Sequence, residues 1–337
     1  MDNVTHSLTG LVLSRAGLNR FCPRAVLLLL LSANAPDIDI VALAGGPLRY
    51  LEMHRGYSHS LFGLPFMAGL SVLVVAGIYR QKLPWMKAWL ICCAGVASHL
   101  LLDWTNSYGV RLLLPFSSRW FHLDLNSLYD GWILAILVFG TVWALFSRLV
   151  SSEIGSRAPT GMASAIFALC LLVFFDSGRA ILHARAVGQL QARLYDDAPP
   201  IQAAALPEPF SPLRWTGIVE TERDYRALDV DALGQLHPQT AEIFYKPPVT
   251  SSLERASATR PFRYFLYFAR FPVWSEEKIA TDSGTRTRLD LTDLRFGTPG
   301  AGSFHCIALE NARDMVLGAW FTFGSGANLG RGTAGAP

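Results

Sequence analysis

The run LFGLPFMAGLSVLVVAGIY at 61–79 contains no charged residue, and a segment of that length has few places to go. A bilayer core of roughly 30 Å is crossed by about 20 apolar residues in a helix, because a helix satisfies its own backbone polar groups where water is absent. Residues 85–102 and 131–146 read the same way, and 162–175 is long enough if Ile181 and Leu182 extend it past Asp176. Upstream, 5–17 and 24–35 are pieces of about 12 residues, or about 18 Å each. Neither crosses alone, so they predict a hairpin of short helices packed against the longer ones. The chain is 51% hydrophobic and 16% charged, against about 25% charged for an ordinary soluble domain. The fold class expected is a polytopic α-helical membrane domain followed by a small, mostly antiparallel β (α+β) domain.

The β domain is announced by a change of pattern. After DDAPPIQAAALPEPFSP the chain alternates apolar and polar residues in RALDVDAL, RYFLYFARF and TRLDLTDLRF, the period of half-buried strands. The expected organisation is a helical membrane domain over 1–183, a Pro-rich linker over 184–212, a β-rich soluble domain over 213–323 and a disordered Gly/Ala-rich tail over 324–337. RYFLYFARFPVW reads as a core strand in preference to an interface. Cys22, Cys92, Cys93, Cys170 and Cys306 have no CxxC spacing and read as small hydrophobes rather than as a disulfide frame. The N-terminal segment lacks the order of a cleavable signal peptide and is expected to stay attached.

Basic residues suggest an orientation. Arg15, Arg20 and Arg24, then Arg80, Lys82 and Lys87, then Arg148 and Arg157, fall on one side of a zigzagging chain, which the positive-inside rule makes cytoplasmic. The opposite loops and the C-terminal domain would face the periplasm. A net charge of +3 with scattered basic residues excludes a charge-driven nucleic-acid surface.

The stretch HRGYSHS immediately precedes the 61–79 run, and ionisable groups there are expensive, at about 2.5–3.5 kcal/mol each near a helix centre. The zigzag brings the same end of the bundle His6, then Asp37 and Asp39 of APDIDI, His54 and His59, His99 and Asp103 of SHLLLDWTNSYG, and His122 with Asp124. His99, Asp103 and Asn106 share one helical face. Asp37 and Asp39 act together only from non-helical backbone, and Pro36 supplies the break. Taken singly, His6 or His122 is as readily a solvated histidine, the aspartates are ordinary helix caps, and His183, His237 and His305 lie apart from the cluster. Taken together, the histidines and acids point to a divalent-metal site, zinc first and manganese or iron next, since imidazole with carboxylate and no thiolate suits these ions. Arg55 reads equally as a lipid-headgroup anchor or an anion clamp.

MDNVTHSLTGLVLSRAGL, APDIDI, HRGYSHS and SHLLLDWTNSYG, in that order, resemble the YdjM-type membrane-bound metal-dependent hydrolases of bacteria, also described as LexA-binding, inner-membrane-associated hydrolases. The resemblance covers about the first 180 residues and implies the bacterial inner membrane. It implies metal ligation by His54, His59, His99 and Asp103 with help from Asp37 and Asp39, and His6 matches as a further member. The Pro-rich junction before SPLRWTGIVE places the C-terminal domain with one branch of the family. The order of ligands is also similar to that of zinc-dependent phospholipase C, but the ligating N-terminal tryptophan is missing.

The function expected is a metal-dependent hydrolase acting on a phosphoester or lipid-linked substrate that arrives by diffusion in the membrane. Asp39 or Asp37 would serve as general base or orienter, and Arg55 would stabilise phosphate charge. The alternatives are a metal-binding transporter or sensor, and a non-catalytic protein whose β domain docks an envelope partner.

Overall fold

Apolar runs that satisfy their own backbone become helices, and the computed structural model of the chain has seven among the described residues of its first half. It describes residues 1–80, 83–153, 161–234, 236, 240–281 and 284–324; the expected tail beyond Gly324, together with His237, Lys82 and Arg157, falls outside them. The helices are α1 (Asn3–Arg15), α2 (Ala25–Ser32), α3 (Pro47–Met53), α4 (Leu64–Tyr79), α5 (Trp85–Thr105), α6 (Gly131–Glu153) and α7 (Met162–Gln191). Two 3-10 segments, Ala35–Gly45 and Tyr57–His59, lie between α2 and α4. Among the described residues α5 and α7 are each long and apolar enough to cross a membrane, and there are four such spans if the bent pairs α2 with Ala35–Gly45 and α3 with α4 each count as one. The second pair bends by 88°, and the polar HRGYSHS stretch sits at that bend. Large apolar side chains cover the outside of these helices, Phe174 at 74% exposure and Ile78 at 64%, an exterior that suits hydrocarbon and not water.

Small residues let the helices that carry polar groups approach closely. A Cβ on Gly10 of α1 would lie 2.7 Å from the carbonyl oxygen of Leu29, and one on Gly95 of α5 would lie 2.1 Å from Ser32 Oγ. Around this contact Leu28, Ala68, Val72, Cys92 and Val96 form one core of α2, α4 and α5. Cys22, Cys92 and Cys306 are buried, Cys93 is half-buried and Cys170 is exposed on α7; all five are free.

Among the described residues the second half holds two antiparallel four-stranded sheets. Strands β1 (Gln202–Pro207), β2 (Arg214–Glu220), β3 (Asp224–Asp231) and β4 (Glu242–Tyr245) pair in that order, as do β5 (Pro272–Thr281), β6 (Gly284–Asp293), β7 (Phe304–Glu310) and β8 (Val316–Phe323). Helices α8 (Ser251–Ala258) and α9 (Arg260–Phe268) separate the sheets in sequence. RALDVDAL falls largely in β3 and TRLDLTDLRF largely in β6, as their alternation predicts. RYFLYFARF does not form the expected strand. Residues up to Phe268 belong to α9, with Pro261 in its first turn and Phe262, Phe265 and Phe268 buried on one face. So short an apolar run fits either period, and the three-residue spacing of these phenylalanines wins because it lays them all on the second sheet. The Pro-rich stretch is also more structured than a linker. The last turns of α7 reach into it because Ala186 and Leu190 pack on Trp215, Val219 and Leu228 of the first sheet, and its later part forms β1.

His305, expected to stand apart from the site, is bound within the second sheet. Its Nδ1 lies 3.0 Å from each oxygen of Asp290 and its Nε2 2.9 Å from the carbonyl oxygen of Gly302. Both ring nitrogens face acceptors, so the Asp290 hydrogen bond raises the pKa above the ordinary histidine value. The stabilisation is complete below the unfolded pKa of about 6.5 and is lost as pH rises through the higher folded value. His305→Gln is therefore expected to destabilise the protein by about 1.5–3 kcal/mol at pH 6, with a smaller loss at pH 9, measured by thermal melting in detergent. An equal loss at both pH values would contradict a charged His305.

Candidate metal centre

The site is assembled from four separate pieces of backbone. α1 brings His6, the 3-10 segment after Pro36 brings Asp37 and Asp39, the bend before α4 brings His54, Arg55 and His59, and the last turns of α5 bring His99 and Asp103. Asn106 follows as the C-cap of α5. In a 3-10 helix with three residues per turn, positions two apart diverge by about 120°, so Asp37 and Asp39 reach different partners. At the bend, Arg55 adopts the left-handed conformation (φ 53°), which turns its backbone N–H to Asp39 Oδ2 at 2.9 Å while its guanidinium reaches α5. Gly63 closes the turn: a Cβ there would lie 2.0 Å from the carbonyl oxygen of Tyr57.

At the centre His59 Nε2 and His99 Nε2 face each other at 3.1 Å. Asp37 Oδ1 lies 3.4 Å from the first and 3.6 Å from the second. Asp103 Oδ2 lies 3.5 and 3.4 Å from the same two nitrogens. Ligands held about 2.0–2.1 Å from an ion at tetrahedral angles would lie about 3.4 Å from one another, close to the spacing of these five contacts, and His59, His99 and Asp103 form a compact trio. His59, His99 and Asp103 are buried, and Asp37 is partly exposed.

The hydrogen bonds behind the rings decide what those two nitrogens are. His99 Nδ1 donates to the carbonyl oxygen of Ala33 at 2.7 Å. His59 Nδ1 lies 3.3 Å from Asp39 Oδ2 and 3.0 Å from Ser58 Oγ. Against the effect of its burial, hydrogen bonds to Asp103, Asp37 and Asp39 raise the His59 pKa to about 10, so with no metal ion bound a proton on His59 Nε2 lies among these groups. A metal ion that displaced it would meet two Nε2 lone pairs and two carboxylates, with the Nδ1 protons kept behind the rings. Rings oriented from behind by a carboxylate or a carbonyl are also the ordinary setting of metal-bound histidine.

His6 joins from the other side. Its ring stacks on His99 with centroids 3.7 Å apart, and its Nε2 is 3.5 Å from Asp103 Oδ1. Burial beside His99 pushes its pKa down to about 4, so it is neutral at physiological pH. Both of its ring nitrogens and Asp37 Oδ2 are buried without a hydrogen-bond partner, and a metal ion is the kind of partner that such groups lack. His6, Asp37 and His99 form a second compact trio beside His59, His99 and Asp103. The residues present therefore fit a divalent ion, with donors enough for a second.

Asp39, His54 and Arg55 stand one layer out. Asp39 accepts from the Arg55 backbone and faces His54 Nδ1 at 3.0 Å as well as His59, so it joins the bend to the centre. His54 stacks on Tyr50 and is in neither compact trio. Arg55 donates to Asp103 Oδ1 at 3.0 Å, Asn106 Oδ1 at 2.9 Å and the Gly109 carbonyl at 3.2 Å, and lies over the Tyr108 ring. Its guanidinium positions Asp103 more than it clamps a free anion. His122 and Asp124 both meet Arg270 from the C-terminal half. His183 lies against Trp215. The sequence reading missed the Ala33 carbonyl and the Met1 amino group, which pairs with Asp103. Neither is a side chain, so no motif could mark it. It also missed Tyr108, whose only sequence signal is its place in the WTNSYG run.

The family model for the YdjM inner membrane protein matches residues 1–181, the segment that supplies every residue of the centre. The chain belongs to this family. It is also similar to the uncharacterized protein YfhP of Bacillus subtilis (strain 168), 24% identical over 332 residues that cover 96% of this chain and 94% of that one. That relative thus spans both the helical half and the sheets. No solved structure matches the chain.

The closed turn yields a direct check. Gly63→Ala is expected to destabilise the protein by about 1–3 kcal/mol, read as a lowered melting temperature in detergent. Gly69→Ala, where a Cβ would meet nothing within 4 Å, should be neutral or stabilising, because glycine is a poor helix former. Equal melting temperatures would show that the Tyr57–Gly63 contact does not hold the bend.

Proposed function

We propose that the chain is a multi-pass inner-membrane metal-dependent hydrolase, with zinc the most suitable ion, acting on a phosphoester or lipid-linked substrate at the membrane surface. The observation that carries this is the meeting of the His59 and His99 Nε2 atoms at 3.1 Å between Asp37 and Asp103. His59, His99, Asp37 and Asp103 would hold the ion, with His6 able to join them. Bound there, the ion would supply a water of lowered pKa and polarise the ester oxygen. The chain's own residues do the rest. Asp39 and the Ala33 carbonyl orient the two rings, Arg55 holds Asp103 in place, and Asp37, with one oxygen unpartnered, is the carboxylate able to accept a proton from water. Asp39 is a positioning residue in this scheme, since its oxygens already serve His54, Arg55, Ser58 and His59.

The membrane setting supports a substrate that arrives along the bilayer, because the centre lies at the bend of the α3 and α4 pair and at the end of α5. Arg15 ends α1, Arg20 and Arg24 lie between α1 and α2, Arg80 follows α4 and Lys87 is in the first turn of α5, which supports a cytoplasmic side there and a periplasmic centre. A reporter fused at Pro84 should therefore signal from the cytoplasm, and a periplasmic signal would invert the orientation.

Metal analysis of detergent-purified protein tests the centre. The wild type is expected to retain at least one divalent ion per chain, and His59→Ala, His99→Ala and Asp103→Ala to lose at least tenfold in occupancy. Equal content in all four proteins would overturn the proposal. Metal-replete wild type is then expected to cleave short-chain phosphodiesters with loss of activity on chelation, and no turnover with any divalent ion would overturn the hydrolytic part.

A further inference from the structure

The centre borders, through Asp37, a cavity of about 450 Å³ whose two sides differ in character, a size within the usual range of about 300–1,000 Å³ for small-molecule sites. One side is polar and comes from the helical half, with Asp37, Asp39, His54 and Arg55. The other is aromatic and includes Phe304 of β7 and Phe323 of β8, from beyond the segment that the family model matches. Phe323 meets Tyr50 edge-on at 5.8 Å and Phe304 at 5.4 Å, and Phe304 lies 6.1 Å from Tyr108. These rings form a continuous apolar wall facing the ionisable floor.

The wall is fastened to the floor by side-chain contacts and by a shared core. Arg260 of α9 bonds both oxygens of Glu52, at 2.9 and 2.7 Å, and Tyr264 donates to the Glu52 carbonyl at 3.1 Å. Arg295 donates to the carbonyls of Ser107 and Tyr108 at 3.1 and 3.2 Å, and Arg270 holds Asp124 at 2.9 Å. Leu51 of α3 and Tyr108 are buried in the same core as Phe262, Phe265 and Phe268 of α9. The exposed ion pairs contribute little individually, but the shared core buries the joint between Leu51, three residues before His54 at the bend, and the second sheet.

We infer that the C-terminal sheet is half of the binding site, and that Phe304 and Phe323 select an amphipathic phosphoester by receiving its hydrocarbon part while its phosphate lies over the polar floor. The inference rests on the metal-centre proposal, which supplies the positive charge that an anion needs beside Asp37 and Asp39. Phe323, at the end of β8 and 37% exposed, is the specificity-determining residue easiest to change without disturbing the core.

The test is calorimetric titration of full-length, metal-replete protein in detergent with methylphosphonate and with butylphosphonate, which share a head group and differ by three methylenes. Each buried methylene is worth roughly a fourfold gain in affinity, so the wild type is expected to prefer butylphosphonate at least tenfold. Phe323→Ala should reduce that preference at least fivefold with methylphosphonate affinity and metal content retained, and Phe323→Leu should restore most of it. Unchanged preference in Phe323→Ala, or an equal loss for both probes, would overturn the inference. Wild type that holds metal and binds both phosphonates equally would overturn it while leaving the metal centre standing. Wild type without metal would instead remove the proposal beneath it.

Discussion

Two imidazole nitrogens turned toward each other between two carboxylates are the constraint around which the helical half is organised. Each ring is held from behind, His99 by the Ala33 carbonyl and His59 by Asp39, and His99 in particular cannot rotate away without giving up its 2.7 Å hydrogen bond to that carbonyl. The close approach of α2 to α5 at Gly95 and Ser32 brings that carbonyl within reach. The 88° bend before α4 brings His59. Low dielectric makes a convergence of this kind unfavourable in isolation, and the fold maintains it through packing on every side.

The polar end of the bundle is not left to solvent. The second sheet and α9 cover it, contributing the aromatic side of the cavity and several guanidinium contacts to the loops that carry the centre. Arg111, from the loop after α5, donates to the Glu52 and His54 carbonyls, and the Glu52 side chain in turn receives Arg260. The backbone that presents His54 and Arg55 is therefore held from both halves of the molecule. The match to YfhP over nearly the whole chain agrees with the two halves acting as one unit.

Much of the centre was legible in the sequence because its residues are costly where they stand. Histidine and aspartate at the ends of apolar runs are conspicuous, and the four-residue spacing of His99 and Asp103 already sets both on one face. Their ranking was not legible. His54 and Asp39 look as good on paper as His59 and Asp37, and only the left-handed turn at Arg55 and the 3-10 backbone after Pro36 sort the inner layer from the outer. The sheets were legible where alternation ran long, in β3 and β6. They were misread at RYFLYFARF, where nine residues fit two periods and burial against a distant sheet chose between them.

The sequence by itself determined that the first half is helical and apolar on its outside, that a β region follows, and that ionisable groups gather at one end. These follow from hydropathy and periodicity, which act over neighbouring residues. Only the tertiary structure decided which nitrogens and oxygens meet, that Arg55 serves Asp103, and that Phe304 and Phe323 wall the cavity. Those contacts join residues tens to hundreds of positions apart, and their geometry depends on helix bends, close glycine contacts and backbone carbonyls that leave no trace in residue type.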